Sequence, residues 1–166
     1  GAVMSVNYSP SGKLIVSGSK DCSIRIWGSS VMGNSHIIKS HIGTVRNVKF
    51  SNDESSILSC SDDKIIKLWD VNNNYRFKSS LIGHSNWIRC GEFSKDGRLI
   101  ISGSDDKTIK MWDIRSNQCV HTFYDHSDII TDVKFHPQST LIASTSADKT
   151  IKIFDIRSCK LLQHYD

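Results

Sequence analysis

A repeat with a period of about 42 residues limits the folds that this chain can adopt. An aromatic residue and an aspartate six positions before it recur together four times along the 166 residues. The aromatic positions are Trp27, Trp69, Trp112 and Phe154, and the aspartates are Asp21, Asp63, Asp106 and Asp148. Such self-similarity is typical of chains in which each repeat is one supersecondary unit that packs on its neighbours.

Each repeat has the pattern of four short β-strands. In the third unit, apolar or alternating runs at 87–93, 99–102, 108–112 and 118–123 are separated by turn-forming segments such as Ser94–Gly97. Runs of this length between Gly, Asp, Asn and Ser predict strands and hairpins. Because no segment shows a sustained apolar period of 3.6 residues, we expect almost no helix. We expect irregular structure at 28–35, which is rich in Ser and Gly.

The repeats resemble those of the WD40 family. The resemblance is carried by a Gly-His pair (Gly83-His84), an SxSxDxxIxxW core and a closing Trp-Asp pair (Trp112-Asp113). It covers the whole chain and implies an all-β fold, a WD40 β-propeller with four consecutive four-stranded blades that form an arc of a seven-bladed ring. A closed four-bladed ring is the alternative. The expected blades span about 1–40, 41–83, 84–125 and 126–166, with no separate domain.

Histidine, aspartate, serine and tryptophan recur together, which suggests either a catalytic triad or a structural network. A catalytic site is built once, whereas this set is repeated, and no Gly-x-Ser-x-Gly elbow accompanies it. We therefore expect a buried network in which the polar groups satisfy one another, since an unpaired one costs about 1–3 kcal/mol. Its expected members are His41, Asp63, Trp69, His84, Asp106, Trp112, His126 and Asp148. Either serine of each SxS pair could take part.

Two repeats depart from the pattern. The first has no histidine within the sequence, and Gly28 replaces the aspartate of its Trp-Asp pair. The fourth has Phe154 in place of tryptophan, so its network is expected to lack the indole donor.

Composition excludes several classes of protein. Apolar residues make up 38% and charged residues 23% of the chain, and no apolar run approaches the roughly 20 residues of a membrane span. Five cysteines without a CxxC spacing predict free thiols rather than disulfides or a zinc site. The first residues show no signal-peptide pattern. We expect no cofactor, metal, small-molecule substrate, membrane or nucleic-acid partner, and no enzyme activity.

Residues that the repeat does not require indicate a closer resemblance. The segments 84–100, 119–121, 135–137 and 161–165, which include Asn86-Trp87 and Gln163-His164, are similar to the proteome-of-centriole WD40 proteins. This resemblance implies a scaffold in the cytoplasm and cytoskeleton, at centrioles, basal bodies or the ciliary axoneme. Such a scaffold binds and stabilises microtubule triplets or doublets and supports cilium assembly, with tubulin and other centriolar or ciliary proteins as partners. The net charge of +4 agrees with an acidic partner.

Trp87 and Arg89 are the candidate partner-binding residues, because Trp and Arg are enriched at interaction hot spots. A packed aromatic at the rim of the propeller is the alternative interpretation of Trp87. Two further functions remain open. Trp112-Asp113-Ile114-Arg115 fits the WDxR pattern of substrate receptors of cullin ubiquitin ligases, and a generic WD40 assembly scaffold needs no more than the fold.

Overall fold

The computed structural model describes residues 1–29, 35–138 and 140–166, which form sixteen strands in four antiparallel sheets. The first two sheets contain β1 (Val3–Tyr8), β2 (Leu14–Ser19), β3 (Ser23–Gly28), β4 (Ser35–Lys39), β5 (Val45–Phe50), β6 (Ser56–Ser61), β7 (Ile65–Asp70) and β8 (Arg76–Ile82). The others contain β9 (Ile88–Phe93), β10 (Leu99–Ser104), β11 (Ile109–Asp113), β12 (Gln118–Phe123), β13 (Ile130–Phe135), β14 (Leu141–Ser146), β15 (Ile151–Asp155) and β16 (Lys160–Tyr165). The prediction of an all-β fold with four four-stranded blades is confirmed.

Each sheet is a meander whose strands follow one another in chain order, and we call them a, b, c and d. The a strands β1, β5, β9 and β13 contact one another from blade to blade, so they lie at the inner side of the arc. Antiparallel pairing places the d–a connections and the b–c turns at one end of the blades, which we call the d–a end. The a–b and c–d turns lie at the other, the a–b end.

Strand bounds differ slightly from those expected in the third unit. Trp87 lies just before β9 rather than inside it, because its carbonyl already accepts the N–H of Asp105 in the b–c turn and a register shift follows. Strand β10 extends to Ser104, and β11 begins at Ile109. The expected irregular segment at 28–35 falls mostly on residues 30–34, outside the described residues. Among the described residues, no helix could span a membrane.

Apolar side chains between neighbouring sheets form three separate cores, one at each seam. The seam between blades two and three buries Leu58 and Leu81 of one sheet against Ile100 and Trp112 of the next. Close packing at the seam between blades three and four depends on a missing side chain, because a Cβ on Gly103 would lie 2.5 Å from Ile130 of blade four. The blades therefore form one continuous packed body.

The outer faces of the first and last blades expose residues whose equivalents are buried elsewhere. Val6 and Tyr8 of β1 are each 62% exposed, whereas the equivalent Val48 is fully buried. On blade four, Ile151 is 46% exposed, while the equivalent Ile109 is 1% exposed. These two faces have the composition of a blade–blade seam.

Candidate interaction surface

A chain of hydrogen bonds joins strands b and c of blade two to the b–c turn and to the d–a connection that precedes the blade. The indole Nε1–H of Trp69 donates to Ser59 Oγ at 2.9 Å, and Ser59 Oγ lies 2.9 Å from His41 Nε2. His41 Nδ1 lies 2.7 Å from the Asp63 carboxylate, which can only accept, so Nδ1 carries the proton. Ser59 then donates to Nε2, and all four polar groups are satisfied.

Blade three repeats this arrangement, and blade four repeats it without the indole. In blade three, Ser102 accepts from Trp112 and bonds to His84, which bonds to Asp106, at distances of 2.9, 2.7 and 2.7 Å. The corresponding bonds of blade four join His126 to Ser144 and to Asp148, both at 2.7 Å. Phe154 fills the tryptophan position and donates nothing to Ser144.

The structure settles which serine of each pair joins this network. The first serine meets the histidine, while the second, such as Ser104, donates to a carbonyl of the d–a connection and accepts the N–H of the turn aspartate. Blade one follows the same division: Trp27 donates to the first serine, Ser17, at 3.3 Å, and the second serine, Ser19, accepts the Asp21 N–H.

Burial sets the charge state of the histidine in blade three. Burial, opposed by the hydrogen bond and charge of Asp106, lowers the pKa of His84 below its ordinary value, so the ring is neutral. Burial alone raises the pKa of Asp106, but hydrogen bonds from His84, Thr108 and the Ser85 N–H outweigh it and hold that pKa well below the ordinary value. The network thus pairs a neutral donor with a carboxylate.

This geometry resembles a Ser-His-Asp triad, yet it is unsuited to catalysis. Ser102 has no exposed surface, and its oxygen already accepts the Trp112 indole N–H, so a substrate carbonyl cannot reach it. The same arrangement occurs in three blades. No group of three or more His, Cys, Asp or Glu side chains among the described residues could hold a metal ion.

Arginine–aspartate pairs line the inner rim of the d–a end. Arg46 of β5 bonds to Asp62 in the b–c turn of its own blade at 2.5 and 3.0 Å, and Arg89 of β9 bonds in the same way to Asp105. The Arg46 guanidinium also lies over the Trp87 ring of the next blade, 5.1 Å from its centroid. Trp87 thus contacts Arg46 and remains 43% exposed.

Exposed apolar residues and lysines surround these pairs on the d–a end of blades two and three. We call this set the d–a surface, and its members are Ile42, Lys64, Ile82, Trp87, Lys107 and Tyr124. Ile42 is 92% exposed and Tyr124 is 74% exposed. Lys64 and Lys107 project from equivalent b–c turns, both with φ of 69°. Arg46 and Arg89 neutralise Asp62 and Asp105, so the exposed side chains of this surface are the two lysines and the apolar residues.

Other basic residues singled out in the third unit do not join this surface. Lys95 and Arg98 belong to the a–b turn at the opposite end, and Lys110 donates to Thr122 within its sheet. The WDxR segment also lies at the a–b end. There Asp113 accepts the N–H groups of Arg115 and Ser116, while Arg115 is exposed.

Comparisons with known proteins agree with this architecture. The family model for the WD domain, G-beta repeat, matches residues 1–28, 33–70, 75–113 and 117–155. Among curated relatives, "Nuclear distribution protein PAC1" of Arthroderma otae is 40% identical over 86 residues, which are 51% of this chain and 19% of the relative. "Nuclear distribution protein nudF 1" of Talaromyces marneffei is 32% identical over 128 residues, which are 76% of this chain and 28% of the relative.

The matched regions thus span less than a third of these curated relatives. The family model, in contrast, matches well over half of this chain in four consecutive units. Each unit after the first begins with the d strand of one sheet and continues through strands a, b and c of the next sheet. Repeat spacing, the meander topology of each sheet and the recurring buried network all agree with that match. The chain belongs to the WD40 repeat family.

Proposed function

We propose that this chain is part of a non-catalytic scaffold of centrioles and basal bodies. The scaffold binds and stabilises microtubule triplets or doublets and supports cilium assembly, with the tubulin wall and other centriolar or ciliary proteins as partners. Its place is the cytoplasm and cytoskeleton, at centrioles, basal bodies or the ciliary axoneme. The observation that carries this proposal is the d–a surface.

The chemistry of that surface suits an acidic protein polymer. Lys64 and Lys107 present two ammonium groups at the same height on neighbouring blades, and Arg46 and Arg89 neutralise the adjacent Asp62 and Asp105. Exposed Ile42 and Tyr124 add apolar area that a partner can bury. Charge of this kind raises the rate of association with an acidic partner, while apolar anchors supply affinity.

Trp87 and Arg89 are the proposed centre of this contact. The Arg46 guanidinium restrains the Trp87 ring from one side, so that little side-chain entropy is lost when a partner covers the other side. The segment 84–100, which contains these residues, is one of the segments that resemble the centriolar WD40 proteins. Relatives named for nuclear distribution also fit a role in a cytoskeletal assembly.

Localisation of the tagged full-length protein against tubulin by super-resolution microscopy tests the proposed place of action. We expect signal along the wall of centrioles or basal bodies. Diffuse or nuclear signal would contradict the proposal and leave the ligase-receptor function, which co-purification with the ligase adaptor would test.

Co-sedimentation with microtubules tests the proposed surface. Trp87→Ala and Arg89→Ala should each weaken binding about tenfold or more, as is usual for hot-spot residues. Val120→Ala is the matched control, because Val120 is 50% exposed on the d strand of the same blade and lies outside the d–a surface. Equal binding by all three variants would exclude this surface.

A further inference from the structure

The inner edges of the a strands are closed by side chains from the neighbouring a strand. In blade two, the Phe50 N–H donates to Asn7 Oδ1 at 3.0 Å. In blade four, the Phe135 N–H donates to Glu92 Oε2 at 2.8 Å. Asn7 and Glu92 occupy equivalent positions of β1 and β9, so the repeat supplies one acceptor for each of these inward-facing amides.

Blade three breaks this pattern. The position equivalent to Asn7 and Glu92 is Lys49 on β5, whose ammonium can only donate. The Phe93 N–H faces the inner edge, because the ladder bond to strand b is made by the next residue: Ser94 N–H donates to the Leu99 carbonyl. Within 1–29, 35–138 and 140–166, the Phe93 N–H meets no acceptor, unlike the equivalent amides of Phe50 and Phe135.

A cavity of about 200 Å³ lies where this donor and Lys49 meet, and Asn7, Asn52 and Glu92 also line it. It adjoins a groove of about 470 Å³ at the a–b end that shares Asn52, Glu92 and Phe93. Lys49 is partly buried and forms no ion pair with any described residue. The cation Lys49 and the residue with the unbonded amide, Phe93, therefore line the same cavity, which adjoins the groove at the a–b end.

We propose that this cavity is a carboxylate site that takes one Asp or Glu side chain of an acidic protein segment. One carboxylate oxygen accepts the Phe93 N–H, as Asn7 and Glu92 do for the equivalent amides, and the charge pairs with Lys49. Glu92 does not fulfil this role itself. One of its oxygens accepts the Phe135 N–H, and the other lies 3.8 Å from the Lys134 ammonium, so its charge is engaged on the side of blade four.

The site lies at the opposite end of the blades from the d–a surface and goes beyond the function proposed above. Loss of microtubule binding in Trp87→Ala, with binding retained in Lys49→Asn, would therefore separate the two proposals. A free anion such as phosphate is the competing occupant of the cavity.

Titration of the ¹⁵N-labelled chain with a hexaglutamate peptide, followed by amide spectra, tests the proposal. The Phe93 amide proton should shift downfield to saturation, while the already bonded amides of Phe50 and Phe135 stay in place. A hexaglutamine peptide should leave all three unchanged. An unshifted Phe93 amide at saturation would overturn the proposal. Inorganic phosphate that reproduces the shift at equal concentration would overturn the assignment to a protein segment.

A substitution gives an independent readout by fluorescence anisotropy of the labelled hexaglutamate. Lys49→Asn restores the acceptor found at Asn7, so the variant should fold normally and bind the peptide at least about tenfold more weakly, the order expected for one charged hydrogen bond. Lys64→Asn removes an exposed lysine at the other end and should bind as before. Affinity of Lys49→Asn within about twofold of the parent, or an equal loss in Lys64→Asn, would refute the site.

Discussion

The guanidinium of Arg46 lies 5.1 Å from the centroid of the Trp87 ring, and this contact crosses the seam between blades two and three. The same guanidinium bonds to Asp62 of its own blade. An ion pair within one blade is thus joined to an aromatic residue of the next, where the equivalent position of the following seam holds Ile129.

A double-mutant cycle should detect this contact. We expect Arg46→Ala and Trp87→Ala to couple by about 0.5–1 kcal/mol in the free energy of unfolding, the usual size of a partly exposed cation–π pair. Urea denaturation of the four proteins measures it. The equivalent pair Arg89 and Ile129 has no aromatic ring and is the control, for which coupling below about 0.5 kcal/mol is expected. Equal coupling in both cycles would mean that the ring makes no special contribution.

Removal of the network serine should lower the free energy of unfolding more in blade three than in blade four. Ser102→Ala leaves the Trp112 indole N–H and the Nε2 atom of His84 without a partner, whereas Ser144→Ala leaves only the Nε2 atom of His126 unpaired. Each buried group left unpaired costs about 1–3 kcal/mol, so the loss of unfolding free energy should differ by about that amount. Denaturant melts of the two variants measure the difference. Equal losses would show that the indole bond contributes nothing.

Replacement of Phe154 by tryptophan should preserve stability only if the neighbouring Phe123 is replaced by a smaller residue. Phe154 is fully buried and packs against Phe123, with ring centroids 4.7 Å apart, whereas Trp112 faces the smaller Leu81 at the equivalent place. Phe154→Trp alone overfills the seam and should destabilise by about 1–3 kcal/mol.

Phe123→Leu combined with Phe154→Trp should recover this loss, because the indole N–H can then reach Ser144. Calorimetric melting temperatures compare the parent, the two single variants and the double variant. A double variant no more stable than Phe154→Trp would contradict the volume argument.

Stability should fall when the medium becomes mildly acidic. Since burial lowers the pKa of His84 below 6.5, the unfolded chain takes up this proton at a higher pH than the folded chain, and the unfolding free energy declines as the pH drops through about 6.5. The contribution of Asp106, whose pKa is also lowered, is present above about pH 4 and is lost only in stronger acid.

Ring titration by NMR gives the pKa of His84 directly. Asp106→Asn removes the carboxylate that raises this pKa, so the value should fall further in that variant. A ring that titrates at or above 6.5 in the parent would contradict the assignment of a neutral histidine.

The exposed faces of blades one and four should cause the 166-residue chain to self-associate. Val6→Lys and Ile151→Lys each place a charge where a seam would otherwise form, and sedimentation velocity should show fewer large species. Ile42→Lys is the control, because Ile42 is 92% exposed yet lies on neither face. If Ile42→Lys reduces association as much as the other two, association does not run through the blade faces.

The period of the repeat was sufficient to predict the four sheets, because alternating apolar residues and turn residues recur in phase. The same phase predicted which His, Asp and Trp residues could meet. It could not choose between Ser59 and Ser61, since residues two apart on a strand point to the same side. Only the structure shows that Ser61 lies at the strand end, where it captures the Asp63 N–H.

Contacts between blades could not be predicted from the sequence. Arg46 and Trp87 are far apart in the chain, and their contact depends on how one sheet is oriented against the next. Lys49 is an ordinary charged residue in the sequence. Its importance appears only when the equivalent acceptors Asn7 and Glu92 are seen bonded to the following strand.

The side chains that accept inward-facing amides of the next a strand, which we call inner-edge caps, also give the assembly of the blades a direction. Ser5 and Asn7 accept N–H groups of β5, and Glu92 accepts an N–H group of β13, so in each case the blade that supplies the acceptor comes earlier in the chain. A blade that leaves the ribosome therefore meets its caps already in place, and assembly can proceed vectorially from the amino-terminal side. Removal of blades from that side would uncap the next inner strand, whereas removal from the carboxy-terminal side would leave every remaining cap intact.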